Sequence, residues 1–177
     1  MKLVVLDRDG VINVDSDEYI KSPEEWKPIP GSLEAIARLT QAGYQVVVAT
    51  NQSGLRRGLF DMAALNAMHI KMHKAVNQVG GSIDAVFFCP HAPDAGCACR
   101  KPQPGMLLEI ARRFKLALTE VAVIGDSLRD LQAASAAGAR PVLVLTGKGE
   151  KTLKSGGLPE GTEVHADLAA AALALTA

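Results

Sequence analysis

The sequence lacks a net charge, a secretory signal and a membrane span, each of which would point to a different class of protein. It has no net charge, because 19 lysines and arginines balance 19 aspartates and glutamates. No general positive field is therefore available for nucleic acid or an acidic lipid surface. It also has no apolar run as long as a secretory signal or a membrane span. We therefore expect a cytoplasmic protein with no nucleic-acid partner and no membrane partner.

Cysteine is scarce as well, and its placement argues against a disulfide framework. The only three cysteines are Cys89, Cys97 and Cys99, an odd number in one short segment. Together with His91 they offer four ligands that suit a closed, tetrahedral zinc site. Buried free thiols beside an incidental histidine are the alternative, but this loop is rich in proline, glycine and alanine. We predict a structural zinc ion that staples the loop at residues 89–104.

Short apolar runs alternate with helical stretches along the chain. The runs are rich in valine, as in strands buried on both faces, and cover residues 3–6, 45–49, 85–88, 121–124 and 141–145. Helices are predicted at residues 32–42, 62–79, 105–115, 128–137 and 167–175, with Ser32 as the first N-cap. This alternation predicts an α/β fold, a Rossmann-like three-layer sandwich with a central parallel sheet. We expect one domain over residues 1–177.

Polar residues follow the predicted strands at the points where those strands end. Asp7 follows the first run, Thr50 the second, Cys89 the third and Asp126 the fourth. In open parallel sheets, ligands bind beyond the carboxyl ends of the strands. The chemistry is therefore expected at this edge of the sheet.

The acidic residues at this edge are typical of phosphoryl transfer. Asp7 and Asp9 lie two positions apart, which places both side chains on one side of an extended chain. Buried like charges need a cation, and magnesium prefers carboxylate oxygen. A carboxylate can attack phosphorus while a cation and a lysine neutralise the phosphoryl oxygens and a second carboxyl group moves the proton. Asp126, Asp130 and Lys101 complete this set.

Four ordered motifs carry a family resemblance over nearly the whole chain. They are Asp7-Arg8-Asp9-Gly10-Val11, Thr50-Asn51-Gln52-Ser53-Gly54, Arg100-Lys101-Pro102, and Gly125-Asp126-Ser127 with Asp130. This set resembles the motifs of the haloacid dehalogenase superfamily. The resemblance implies that Asp7 is the nucleophile, that Asp9 is the general acid and base, and that Thr50 and Lys101 hold the phosphoryl group.

The same resemblance implies the magnesium ligands. They would be Asp7, the backbone carbonyl of Asp9, and Asp126. Asp130 would orient Lys101 or the waters on the metal. An acidic residue in the first turn of a helix is also favoured by the helix dipole, so a purely structural role for Asp130 stays open.

The cysteine loop followed by Arg100-Lys101-Pro102 is similar to one branch of the superfamily, which contains heptose-bisphosphate and histidinol-phosphate phosphatases. Members of this branch are compact and lack a large cap domain. The resemblance implies magnesium-dependent removal of the C7 phosphate of D-glycero-D-manno-heptose 1,7-bisphosphate, in ADP-heptose and lipopolysaccharide core biosynthesis. The substrate-binding residues implied are Asp15, Tyr19, Asn51, Gln52, Ser53, Arg100 and Lys101. Arg56 and Arg57 are further candidates, and a monomer is expected.

Other functions are compatible with the same scaffold. Histidinol phosphate could be the substrate, in histidine biosynthesis. A non-catalytic, zinc-stabilised binding module is disfavoured because every catalytic residue is present. A phosphotransferase or a dehalogenase is a further alternative, and Asp9 argues against the dehalogenase. His69 and His73 have the helical spacing of a metal pair, but they lie in mid-helix, and we interpret them as surface or half-buried residues.

Overall fold

The computed structural model describes residues 1–177 and contains one parallel sheet. Its strands are β1 (Lys2–Leu6), β2 (Tyr44–Asn51), β3 (Ala85–Cys89), β4 (Ala122–Gly125), β5 (Arg140–Val144) and β6 (Glu163–His165). Their order across the sheet is β3-β2-β1-β4-β5-β6, and every neighbouring pair is parallel. This is the doubly wound order, in which the connections reverse direction between β1 and β4. The predicted fold class is confirmed.

Five of the six helices connect consecutive strands, the last helix follows β6, and one short 3-10 turn lies between β1 and the first helix. The helices are α1 (Ser32–Gln41), α2 (Met62–Gln78), α3 (Gly105–Phe114), α4 (Leu128–Ala136), α5 (Gly149–Ser155) and α6 (Leu168–Thr176), and the turn is Pro23–Glu25. None of these helices has the length and apolarity that crossing a membrane requires.

Both faces of the sheet are buried, which makes three layers. Along β1, Val4 and Leu6 point into a core shared with α1, α2 and α6, whereas Leu3 and Val5 point into a core shared with α3 and α4. Alternate residues of a strand face opposite sides of a sheet. An unbroken valine-rich run is therefore the pattern that a strand between two cores requires.

Three local features differ from the sequence-based expectations. The N-cap of α1 is Gly31, at a φ of 88°, not Ser32. The hydroxyl of Ser32 instead donates a hydrogen bond to the carbonyl oxygen of Val11 at 2.7 Å and ties the helix to the first loop. Strand β6 and helix α5 were not predicted, because neither has an apolar run or stripe and both are short.

Candidate active site and metal centres

A polar cavity of about 310 Å³ lies beyond the carboxyl ends of β1, β2 and β4. Its volume is at the lower end of the range typical of small-ligand pockets. The cavity brings together all the residues predicted for catalysis, substrate binding and magnesium: Asp7, Asp9, Asp15, Tyr19, Thr50, Asn51, Gln52, Ser53, Arg100, Lys101 and Asp126. Arg57 also lines it, whereas Arg56 faces a different pocket beside Phe60 and His91.

Lys101 is the buried cation of this cavity. Its ammonium nitrogen lies 2.9 Å from Asp130 Oδ1 and 3.4 Å from Asp7 Oδ1, and it donates a hydrogen bond to the Ala49 carbonyl oxygen at 2.6 Å. An ammonium group has three donors, so each one points at a fixed oxygen. The longest of the three contacts is the one to Asp7.

Burial sets the ionisation of these groups. Burial raises the pKa of Asp7 well above its usual range, the charge of Asp130 raises it further, and Lys101 opposes both. Burial would lower the pKa of Lys101, but Asp130 and Asp7 outweigh it and the net shift is upward. For Asp130, burial is outweighed by Lys101 and by hydrogen bonds from Ser127, so its pKa is lowered. Lys101 and Asp130 therefore form the ion pair, and Asp7 is left short of positive charge.

Asp7, Asp126 and Asp130 form what we call the carboxylate cluster, since one oxygen from each lies within 4.8 Å of the others. Burial, and then the charge of Asp130, raise the pKa of Asp126 to about 7 against the opposing N–H of Lys148. Two carboxylates that resist ionisation at close range fit a hard divalent cation, which would relieve their repulsion. Asp7 and Asp126 therefore fit the expected magnesium ligands.

Asp130 has a different role in that cluster. Its Oδ2 accepts hydrogen bonds from the backbone N–H groups of Asp126 and Ser127 at 3.1 Å each and from the Ser127 hydroxyl at 3.0 Å. With Ser127 it forms the capping box of α4. Because its other oxygen is paired with Lys101, Asp130 orients both the lysine and the loop that carries Asp126.

Asp9 stands beside the carboxylate cluster and is held by other partners. Its Oδ1 accepts hydrogen bonds from Arg8 Nε and Asn13 Nδ2, both at 2.9 Å. Its Oδ2 accepts one from Gln52 Nε2 at 3.2 Å, and the same amide nitrogen donates to the Thr50 hydroxyl at 3.0 Å. One oxygen of Asp9 is thus anchored and the other is turned towards Thr50. The sequence had not indicated Arg8 or Asn13 as partners of Asp9.

Asn51 ends β2 and fastens the loop that delivers Lys101. Its backbone is in register with Cys89, where the loop begins. Its side chain accepts a hydrogen bond from the Lys101 N–H at 3.1 Å and donates one to the Lys101 carbonyl oxygen at 3.4 Å. One residue therefore contacts both ends of the loop.

Three arginines make one wall of the cavity: Arg57, Arg100 and Arg129. Burial, and then the charges of Arg129 and Arg57, lower the pKa of Arg100. Guanidinium groups that repel one another across a cavity favour an anion between them. Arg129, in the first turn of α4, was missed by the sequence-based reasoning; its position directly after the Asp126-Ser127 motif was the available signal.

The rim of the cavity contains further charged and aromatic groups. Arg57 lies over the Tyr19 ring, with 5.6 Å between the guanidinium carbon and the ring centroid. Lys148 Nζ lies 3.6 Å from Asp15 Oδ2. The rim is therefore ordered by contacts among its own side chains, and Lys148 is a second cavity residue that had not been predicted as a site residue.

Cys89, His91, Cys97 and Cys99 form what we call the cysteine cluster, with their ligand atoms within 4.8 Å of one another. Two sulfur pairs are 3.7 Å apart, and His91 Nδ1 lies 3.4 Å from Cys89 Sγ and 3.3 Å from Cys99 Sγ. Zinc bond lengths of about 2.3 Å to sulfur and about 2.0 Å to nitrogen imply tetrahedral edges of roughly 3.8 Å and roughly 3.5 Å. The four residues therefore fit a zinc ion.

Comparison with known proteins identifies relatives and solved structures that are similar to this chain. A family model described as HAD-hydrolase-like matches residues 98–171. A D-glycero-beta-D-manno-heptose-1,7-bisphosphate 7-phosphatase of Bordetella bronchiseptica is 66% identical over 97% of this chain and 96% of its own length. The enzyme of that name from Pseudomonas aeruginosa is 56% identical over 98% of this chain and 97% of its own. These relatives decide the family.

The chain belongs to this family of HAD-like phosphatases. It is a phosphoric monoester hydrolase. A crystal structure of the Bordetella bronchiseptica phosphatase complexed with magnesium and phosphate superposes with a TM-score of 0.98 at 66% identity, covering 99% of this chain and 98% of that chain. The phosphatase of Burkholderia thailandensis superposes with a TM-score of 0.80 at 62% identity, with the same two shares covered.

Proposed function

We propose that this chain removes the C7 phosphate of D-glycero-D-manno-heptose 1,7-bisphosphate through an aspartyl-phosphate on Asp7, in ADP-heptose and lipopolysaccharide core biosynthesis. The single observation that supports this most strongly is the cavity itself. It is lined both by Asp7, Asp9 and Lys101 and by the wall of three arginines. A substrate with two phosphates has one anion for each of these two groups.

In the first step, an oxygen of Asp7 attacks phosphorus, and the bond from phosphorus to the sugar oxygen breaks. Lys101 already touches Asp7 Oδ1 through its longest contact, 3.4 Å, and turns that donor towards a phosphoryl oxygen with little reorganisation. The Thr50 hydroxyl holds a second phosphoryl oxygen. The leaving sugar oxygen takes a proton from Asp9.

In the second step, Asp9 removes a proton from water, which attacks phosphorus and breaks its bond to Asp7. Inorganic phosphate and the free carboxylate of Asp7 result. We assign the moving proton to Asp9 Oδ2, because Oδ1 is already occupied by Arg8 and Asn13. Gln52 bridges Oδ2 to Thr50 and keeps this oxygen on the cavity side.

Two metals complete the proposal. Magnesium, held by Asp7, Asp126 and the backbone carbonyl of Asp9, supplies positive charge for the phosphoryl oxygens. Asp130 is a positioning residue for Lys101 and is outside that ligand set. Zinc, held by the cysteine cluster, fixes the loop that ends in Arg100 and Lys101.

The substrate's remaining groups are assigned to the cavity wall and rim. Arg100, with Arg57 and Arg129, receives the C1 phosphate. Asp15 and Tyr19 contact sugar hydroxyls, and Asn51, Gln52 and Ser53 line the phosphoryl end. Residues 1–177 act as one phosphatase domain in this proposal.

Steady-state kinetics on the heptose bisphosphate and on histidinol phosphate test the substrate. We expect the larger kcat/KM on the bisphosphate, since only that substrate fills the arginine wall. Arg100→Ala should raise KM about tenfold for the bisphosphate and leave KM for a sugar monophosphate nearly unchanged. Arg56→Ala is the control, because this arginine lies in the loop after β2 and lines a different pocket. A larger kcat/KM on histidinol phosphate would contradict the assignment.

A further inference from the structure

Arg8 is a fully buried arginine that stands between Asp7 and Asp9 in the sequence. Its exposure is 0%, although it carries a charge. Its Nε donates to Asp9 Oδ1 at 2.9 Å. Its NH2 nitrogen lies 2.9 Å from the same oxygen as an ion-pair contact, without a hydrogen bond of its own. A buried guanidinium needs a partner for each donor that it points away from water. Asp9 contacts only the Nε and NH2 side of the guanidinium, so NH1 needs another partner.

The other side is supplied by His69, which lies 61 positions along the chain, in α2. Its Nε2 lies 3.3 Å from Arg8 NH1. Since an arginine can only donate, His69 Nε2 must accept, which leaves the ring proton on Nδ1. Our interpretation of His69 as a surface or half-buried residue is wrong, because its exposure is only 9%.

The electrostatics of His69 fit this acceptor role. Burial, then the charge of Arg8 and then His73, lower its pKa to about 4, against an opposing effect of Asp9. The ring is therefore neutral near neutral pH and keeps its acceptor lone pair. His73, one turn further along the same helix, is half-buried, and the Arg8 guanidinium is bonded to His69 instead.

We propose that His69 is a positioning residue for the phosphatase reaction, which orients Asp9 by holding the far side of the Arg8 guanidinium. The inference rests on the proposed role of Asp9 as general acid and base. A guanidinium is planar and rigid, so a fixed NH1 also fixes the direction of Nε. Nε in turn fixes Asp9 Oδ1, and rotation about that anchor decides where Oδ2 stands in the cavity.

This role has a signature in the choice of leaving group. A sugar alkoxide is a poor leaving group and needs the proton from Asp9 as the bond to phosphorus breaks. A 4-nitrophenolate leaves without that proton. Because kcat/KM reports the steps up to loss of the leaving group, misplacing Asp9 lowers kcat/KM for a sugar phosphate and spares kcat/KM for 4-nitrophenyl phosphate.

The test uses the full chain with its metals and measures kcat/KM on both substrates, the heptose bisphosphate and 4-nitrophenyl phosphate. His69→Leu removes the acceptor and keeps a similar volume, and His69→Gln restores an acceptor oxygen. His73→Leu is the matched control on the same helix. His69→Met, whose flexible side chain adapts to irregular space, replaces the leucine variant if that one does not fold.

We expect His69→Leu or His69→Met to lose about tenfold in kcat/KM on the bisphosphate and less than about twofold on the aryl phosphate. The tenfold loss is a part of the full effect of general acid catalysis. His69→Gln should recover most of the loss, and His73→Leu should match the wild type on both substrates. Equal losses on the two substrates, or no rescue by glutamine, would show that His69 only supports the fold.

Failure of the underlying function is distinguishable from failure of this inference. If the wild type releases phosphate from neither substrate, the proposed function is wrong regardless of His69. If the wild type is active on both and Asp7→Asn on neither, the reaction stands, and the ratio of the two kcat/KM values in the His69 variants decides the positioning role alone.

Discussion

The carboxylate cluster and the cysteine cluster both gather ionisable ligands, but the chain holds them by different means. Asp7 and Asp126 follow strands β1 and β4, and Asp130 lies in the capping box of α4, tied to the buried Lys101. The cysteine cluster begins at the end of β3, but its other three ligands belong to a loop with no helix or strand before Gly105. One cluster is positioned by the fold, and the other must help to position the loop that it lies in.

This difference separates what a metal does in the two places. At the carboxylate cluster, strand ends and a helix cap place the ligands, so a metal there would serve the chemistry. At the cysteine cluster, three of the four ligands come from a loop without a helix or strand, so a metal there would supply structure. Variants of the two clusters should therefore fail in different ways, and four predictions test that contrast.

The largest effect should follow from Asp7→Asn. It removes the proposed nucleophile, so turnover should fall about ten-thousand-fold or more. Stability should be unchanged or slightly higher, because burial already disfavours the Asp7 charge and asparagine has none. Phosphate release and the thermal unfolding midpoint, measured on the same preparation, check both halves. A variant that unfolds at a lower temperature would break the contrast on the carboxylate side.

Cys97→Ser should damage both stability and activity. We expect loss of the bound zinc, a lower unfolding midpoint and roughly a hundredfold loss in kcat/KM, since Arg100 and Lys101 lose their placement. Asp94→Asn, an exposed residue of the same loop outside the cluster, is the control and should behave as wild type. Elemental analysis for zinc, calorimetry and kinetics make the test. Full activity in a zinc-free Cys97→Ser protein would refute the structural role.

A glycine in each region compares how tightly the two are packed. Gly10 and Gly96 both have positive φ, 86° and 69°. A Cβ on Gly10 would lie 2.0 Å from Asp126 Oδ2, whereas one on Gly96 would meet nothing within 4 Å. Both alanine variants carry the same backbone strain, so Gly10→Ala should cost about 2 kcal/mol more in the free energy of unfolding. Urea denaturation checks this; equal losses would mean that the carboxylate edge is not close-packed.

Acid would act on the ligands of both clusters and also on the buried His69. The effect of pH on His69 must therefore be measured before an acid titration can compare the stability of the two clusters. The folded pKa of His69 is about 4 against an ordinary value of 6.5. Its contribution to stability is present above the ordinary pKa and is lost as pH falls towards the folded one. Between about pH 7 and about pH 5.5 the wild type should lose about 1 kcal/mol more than His69→Gln. Urea unfolding at the two pH values measures this; equal losses would contradict it.

The architecture was predictable where the sequence pattern and burial coincide. Continuous valine runs predicted five strands because those strands lie between two cores, and the strand ends located Asp7, Thr50 and Asp126. Strand β6 could not be found in this way. Its residues Glu163–His165 are exposed or half-buried at the edge of the sheet, and only pairing with β5 makes them a strand.

The site was predictable where a residue type carries its own chemistry. The ligand can be predicted from the residue type for the carboxylates, for the motif lysine and for the cysteines. Arg8 gives no such indication, because it stands between two aspartates at a position to which the motif assigns no role. The residues around His69 give no indication of its role either. Their contact joins positions far apart in sequence, and it follows from how α2 packs on the first loop. Long-range contacts of this kind are invisible to spacing and periodicity.

Asn51 has a consequence for how this scaffold can diversify. It meets Cys89 through strand register and Lys101 through its side chain, so the intervening segment leaves and returns at a single point of the framework. Such a segment behaves as an exchangeable cassette. Its other residues can change, and with them the molecule recognised, provided that the cysteine cluster is kept and Lys101 is still placed. Strand β1 and Asp7 lie outside the segment, so recognition can be altered by changing one insert while they stay untouched.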